Sequence, residues 1–219
     1  MVYKKLMDKG DTKESIYLKL SELPSKKGIN DIIELFTKHL NYKYQNKNIP
    51  KDIFSNEIKQ RIKEIKIIAE HNDFKIFFIH LDLDKLTNTP QREIIKKLET
   101  YGYPFGLFVF SNEKSPRTLH FVNVKYEEKK EEREKIIRRM IIEEGGGFRT
   151  YSERLSLIEI EDENLTPLEI QVKHNEAFDV DKVTEEFFNR YKDVLEKITK
   201  YLSQFNIDEE KGRYFTIQF

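Results

Sequence analysis

Two carboxylates and a lysine come first, because their spacing could hold a metal ion. Asp52 precedes Glu64-Ile65-Lys66, so one acid is followed, in the next segment, by an acid and a lysine two residues apart. Carboxylates placed this way bind Mg²⁺, and the lysine positions or activates the water that attacks a phosphodiester. The chemistry would be that of a divalent-metal nuclease. The motif is of low specificity: with 39 basic and 39 acidic residues, acid-x-lysine arises by composition, and Glu57-Ile58-Lys59 is a second example. Asp82 and Asp84 near a strand end offer another version. There, however, Asn123 stands before Lys125 where the later strand would need a carboxylate, and asparagine replaces a metal-binding carboxylate poorly.

A second constellation is basic. Lys125, Arg138, Arg139, Arg149 and Arg154 lie close in sequence around a hairpin and the glycine turn Gly145-Gly146-Gly147. Side chains of this kind neutralise DNA phosphates, and glycines permit close backbone approach. Interleaved acids make a solvated charged surface the competing reading. The triple glycine lacks the lysine and Ser/Thr of a phosphate-binding loop, so a plain turn is the simpler assignment. Five histidines are scattered with no pair at i, i+3 or i+4, which gives no metal-site spacing.

The elements that must position these residues follow from the apolar pattern. Phe105 to Phe110 and Thr118 to Tyr126 are β-rich runs joined by the polar Ser111–Arg117, which predicts a central hairpin. In its second run Leu119, Phe121, Val122 and Val124 are expected to pack, leaving His120, Asn123 and Lys125 for the other face. Ile62 to Leu83 reads as two strands about the tight connection His71-Asn72-Asp73, the second apolar almost throughout as for a strand covered on both faces. A helix over Gln91–Tyr101 turns Ile94, Ile95 and Leu98 inward. Asn30 reads as the cap of an earlier helix ending near Asn41, and the segment from there to Asn56 as irregular. Residues 127 to 139 read as a solvated helix or a long hairpin tip, with a strand or amphipathic segment after them. Thr150 and Glu153 suggest a capping box for a short helix, and Asp162 to Pro167 a linker. Val183, Phe187, Phe188, Tyr191, Leu195, Ile198 and Leu202 recur at helical spacing.

The fold class is therefore α/β (α+β), a mixed sheet with flanking helices and a long C-terminal linking helix. The expected divisions are a polar arm over 1–28, a mixed domain over 29–165 and a helical connector over 166–219. Within the arm the pattern allows a short helix ending near Pro24. A net charge of zero gives no support to a globally basic nucleic-acid binder. The absence of cysteine removes disulfide, thiol and thiolate chemistry. No apolar run reaches the ~18 residues of a membrane span, so a cytoplasmic protein without a membrane partner is expected.

The blocks IIAEHNDFKIFFIHLD, REIIKKL, FGLFVFSN, HFVNVKY, GGGFRTYSERL and AFDVDKVTEEFFNRYKDV, in this order, carry a resemblance. The chain resembles the N-terminal region of large adenine-specific DNA methylases of bifunctional type II restriction–modification and related phage-defence systems. It does so from about Ile32 onward, most closely at Phe105–Tyr126 and Phe178–Val194. The resemblance implies a module that positions double-stranded DNA or docks on a methylase region of the same polypeptide, and a sheet of restriction-endonuclease type as one form of the fold. The Asn-Pro-Pro-Tyr-type motif and the glycine-rich S-adenosylmethionine loop are absent from the 219 residues, so that cofactor would belong to the methylase region. The module would have no cofactor and no catalysis of its own. Under the alternative, a restriction nuclease, Mg²⁺ would sit at Asp52, Glu64 and Lys66. In related sequences the segment RYFTIQF opens the methylase part, so the expectation is an N-terminal fragment.

Overall fold

The structure is a computed structural model, and it describes residues 2–25, 28–115, 117–129 and 132–203. The chain divides into two units, Met1–Phe178 and Asp179–Phe219.

The first unit is built on one sheet of six strands in sequence order: β1 (Lys43–Asn48), β2 (Ile62–His71), β3 (Phe74–Leu81), β4 (Gly106–Asn112), β5 (Leu119–Lys129) and β6 (Glu132–Ile142). All neighbours are antiparallel except β3 and β4, which run parallel because helix α4 (Asn88–Thr100) crosses over between them. The mixed sheet with flanking helices is thus as expected. Alternation along the central strands sends side chains into two separate cores. Phe74, Ile76 and Phe78 join one with Leu107, Val109, Phe121 and Met140, while Phe77, Ile79 and Leu81 join the other with Phe108, Phe110, Val122 and Val124. Burial on both faces explains why β3 and β4 read as unbroken apolar runs. It also corrects the expectation for β5, where Asn123 and His120 are buried on opposite faces rather than sharing a polar one.

Local geometry requires particular residues at two points. The β2–β3 turn sets Asn72 at φ +50°, a left-handed conformation that asparagine tolerates. At Gly106 a Cβ would lie 2.8 Å from both the Lys75 carbonyl oxygen and the Phe77 ring, so only glycine lets β4 start beside β3.

One face is covered by α1 (Val2–Glu22), α2 (Ile29–Glu34, continued by a π-helical turn to His39), α5 (Phe148–Leu155) and α6 (Pro167–Ala177). The other carries α3 (Asn56–Arg61) and α4. Four details differ from the sequence pattern. In the expected arm the helix alternative holds, but the helix is anchored: α1 ends at Glu22 before Pro24 and places Ile16 and Leu20 in the core, while its Lys19 bonds Asp31 and Glu34 of α2. β1 lies in the stretch expected to be irregular, its polar KYQNKN sequence being that of an exposed edge strand. Gly147, not Thr150, caps α5, and the capping box sits one element later, at Thr166 and Glu169 of α6. α6 belongs to the core through Ile170, His174 and Ala177, so the division falls after Phe178 instead of Leu165.

The second unit contains α7 (Val180–Ser203), the long terminal helix that the periodicity predicts. Its 24 residues extend about 36 Å. Val183, Phe187, Leu202 and the segment RYFTIQF lie outside the residues whose side chains are described.

Candidate functional site

The nuclease candidates lie on two elements, and each acid is paired with a lysine. Asp52 lies in a 3-10 turn before α3, exposed and tied to Lys59, whose ammonium holds its carboxyl below the ordinary carboxylate range. Glu64 and Lys66 both lie on β2 and pair with each other at 2.5 Å. Each acid therefore has a lysine as its neighbour. Among the described residues no group of three histidine, aspartate or glutamate side chains is placed to share a metal ion. Asp82 and Asp84 are likewise matched, to Lys63 at 3.2 Å and Lys114 at 2.7 Å. Asn123 is an amide clamp: it bonds Gln171 and Asn175 of α6, each at 2.9 Å, and so fastens that helix to the sheet.

The five basic residues diverge. Adjacent strand positions point to opposite faces. Arg138, paired across the sheet with Asn123, and Lys125 therefore project on the α6 side, while Arg139 projects on the α4 side. Arg149 is exposed on α5, 3.8 Å from Glu153. Arg154 is buried, and its Nε donates to the Ala177 carbonyl at the end of α6. Its work is structural.

Arg139 has a different environment. On α4 the inward stripe is Gln91, Ile94, Ile95 and Leu98, so a polar residue occupies a core position and is fully buried. Gln91 Oε1 accepts from Arg139 Nε at 2.9 Å, and its Nε2 donates to His120 Nδ1, also at 2.9 Å. One amide thus fixes the guanidinium and the imidazole together. Because Nδ1 accepts, the neutral His120 ring carries its proton on Nε2. Burial lowers the His120 pKa, and the nearby Arg139 charge lowers it further. Burial and then the charge of Arg92 depress Arg139 in turn. Arg139 Nη2 is buried without a hydrogen-bond partner. On the same face of β4, two residues beyond the Phe110 that pairs with His120, Asn112 is fully buried. Its Oδ1 accepts from the Leu83 backbone at 3.0 Å, and its Nδ2 has no partner.

Sequence reasoning missed Gln91, His120 and Asn112. The signal was available: each is a polar residue on an otherwise apolar stripe, as Arg139 is between Ile137 and Ile141. Two other features carry less. His80 Nδ1 lies 2.8 Å from Ser111 Oγ with Glu113 4.0 Å from its other nitrogen, but Ser111 is buried away from any substrate. A groove of about 240 Å³ between Phe54, Ser55 and Ile58 on one side and Glu93, Lys96 and Lys97 on the other is open and largely apolar.

On α7, Phe188, Tyr191, Val194, Ile198 and Tyr201 are exposed at steps of three or four residues, a continuous apolar stripe. No helix among the described residues is long and apolar enough to cross a membrane. No protein family, curated protein or solved structure matches the chain.

Proposed function

We propose that this chain is the N-terminal module of an adenine-specific DNA methylase of the restriction–modification or phage-defence type. In this reading it helps position double-stranded DNA and docks, through α7, on the methylase region of the same polypeptide. The methylase region would bring S-adenosylmethionine and the methyl-transfer chemistry. The observation that carries the reading is the α7 stripe. Five large apolar side chains on one line of an exposed helix are costly to hydrate, and another apolar surface laid along that line would remove the cost. The resemblance over Phe178–Val194 supplies the partner. No observation favours the Mg²⁺-nuclease alternative, since Asp52 and Glu64 are each neutralised by a lysine.

The test is co-purification. The chain is expressed with the methylase region as a separate polypeptide and passed over a sizing column. The two are expected to co-elute, and the double substitution Tyr191→Glu with Ile198→Glu is expected to separate them by at least about tenfold in affinity. Co-elution unchanged by the pair, or no association of the native chains, would remove the docking assignment.

A further inference from the structure

On the α4 side of the sheet the polar atoms left without a partner are donors. Arg139 Nη2 and Asn112 Nδ2 are buried with no acceptor, and Nε2 of His120 carries a proton because the other ring nitrogen accepts from Gln91. Arg92, exposed one residue further along α4, adds a second positive charge close enough to be felt by Arg139. Among the described residues neither arginine forms an ion pair. Three partly buried lysines are matched with acids: Lys19 has Asp31 and Glu34, Lys75 has Glu70, and Lys135 has Glu99. A partly buried guanidinium without a counter-charge is costly until an anion meets it.

We propose that this cluster binds a phosphate group, with Arg139 as the principal ligand and Arg92, His120 and Asn112 completing it. The chemistry of the donors selects the ligand. A tetrahedral oxyanion accepts from several donors at once, and a guanidinium fork matches two of its oxygens. Two positive charges suit a phosphate better than a single carboxylate. The location agrees: the cluster lies where α4 begins, beside the carboxyl ends of the parallel strands β3 and β4, the crevice in which α/β sheets hold ligands. Gln91 is the positioning residue, setting the guanidinium and the imidazole in one geometry without supplying charge. The site stands on these atoms alone; its natural source, a DNA backbone phosphate rather than a free phosphoanion, rests on the reading above.

The decisive experiment is a titration of the ¹⁵N-labelled 219-residue chain with pyrophosphate, following the Arg139 Nε–H and the side-chain amides of Gln91 and Asn112. Saturable shifts at all three are expected, with affinity falling about tenfold in Arg139→Gln and about threefold in Arg92→Gln. Arg92 is exposed, so its variant retains the fold and keeps the test valid even if Arg139→Gln unfolds. A short duplex that displaces pyrophosphate supports the backbone phosphate as ligand. A duplex that fails to displace it overturns the DNA source and leaves a free phosphoanion in the site. Absence of saturable shifts, or affinity unchanged in both variants, overturns the site itself. None of these results alters α7 docking, which has its own readout.

Discussion

Two buried histidines show how this chain handles an ionisable ring. Burial depresses the pKa of both, while an amide donor fixes the His120 ring and a phenol the His174 ring. Tyr42 donates its hydroxyl proton to the Ile158 carbonyl at 3.0 Å, so its oxygen accepts from His174 Nε2 at 2.9 Å, and the unpartnered Nδ1 is left bare. The ring also packs on Phe74 with centroids 4.4 Å apart. Burial pushes the His174 pKa down to about 3. The unfolded chain therefore binds a proton near pH 6.5 that the folded chain refuses until about pH 3, and stability falls as pH is lowered through that window. The slope from this residue is about 1.4 kcal/mol per pH unit. Burial also depresses His39 and His120, which act in the same direction. Urea unfolding between pH 6.5 and 4.5 should accordingly lose close to one proton's worth of slope in His174→Gln. An unchanged slope would mean that the ring is not held neutral.

At the scale of elements, the informative surprise is α1. Lysine-rich sequence with a single apolar patch reads as solvated, yet Ile16 and Leu20 are fully buried. A helix needs only one line of apolar residues to join a core, and its three remaining sides can be charged. Leu20→Ala should therefore cost about 2–5 kcal/mol in urea unfolding, as for a core leucine. A loose arm would show almost no change. The opposite lesson comes from α6. It exposes Leu168 and Val172 while burying Gln171 and His174, so apolar periodicity cannot find it. Its capping box, Thr166 with Glu169, was the legible mark. Adjacent strand residues teach a third point. Arg138 and Arg139 are neighbours in sequence, yet their strand sends them to opposite faces, so a charge reversal of both would mix two unrelated environments.

For the whole molecule, the two units make separate predictions. Every residue of the two apolar cores lies between Ile16 and Phe178. A chain ended after Phe178 should then unfold cooperatively with a midpoint close to that of the 219-residue chain. Loss of a cooperative transition would show that the second unit is part of the core. In the proposed reading the same division separates two tasks: the sheet unit carries the donor cluster near the ends of β3 and β4, and α7 carries the exposed apolar stripe.

The sheet's centre was decided locally. Runs such as FKIFFIHL and GLFVFS can be satisfied only where both faces are covered, the tight His71–Phe74 connection marks the β2–β3 hairpin and Pro90 the start of the crossover helix, so strand, strand, helix, strand, strand could be read directly. What local pattern leaves open is which distant residues meet. Gln91, Asn112, His120 and Arg139 come from one helix and three strands, and only the parallel β3–β4 pairing with α4 laid across it brings them together. Charge density pointed to Lys125, Arg138, Arg139, Arg149 and Arg154 together because sequence proximity was its only measure. Burial turned one of these into a structural bond and separated the rest. It also left Arg139, alone of the five, bonded to Gln91 on the side of the sheet where His120 and Asn112 are buried.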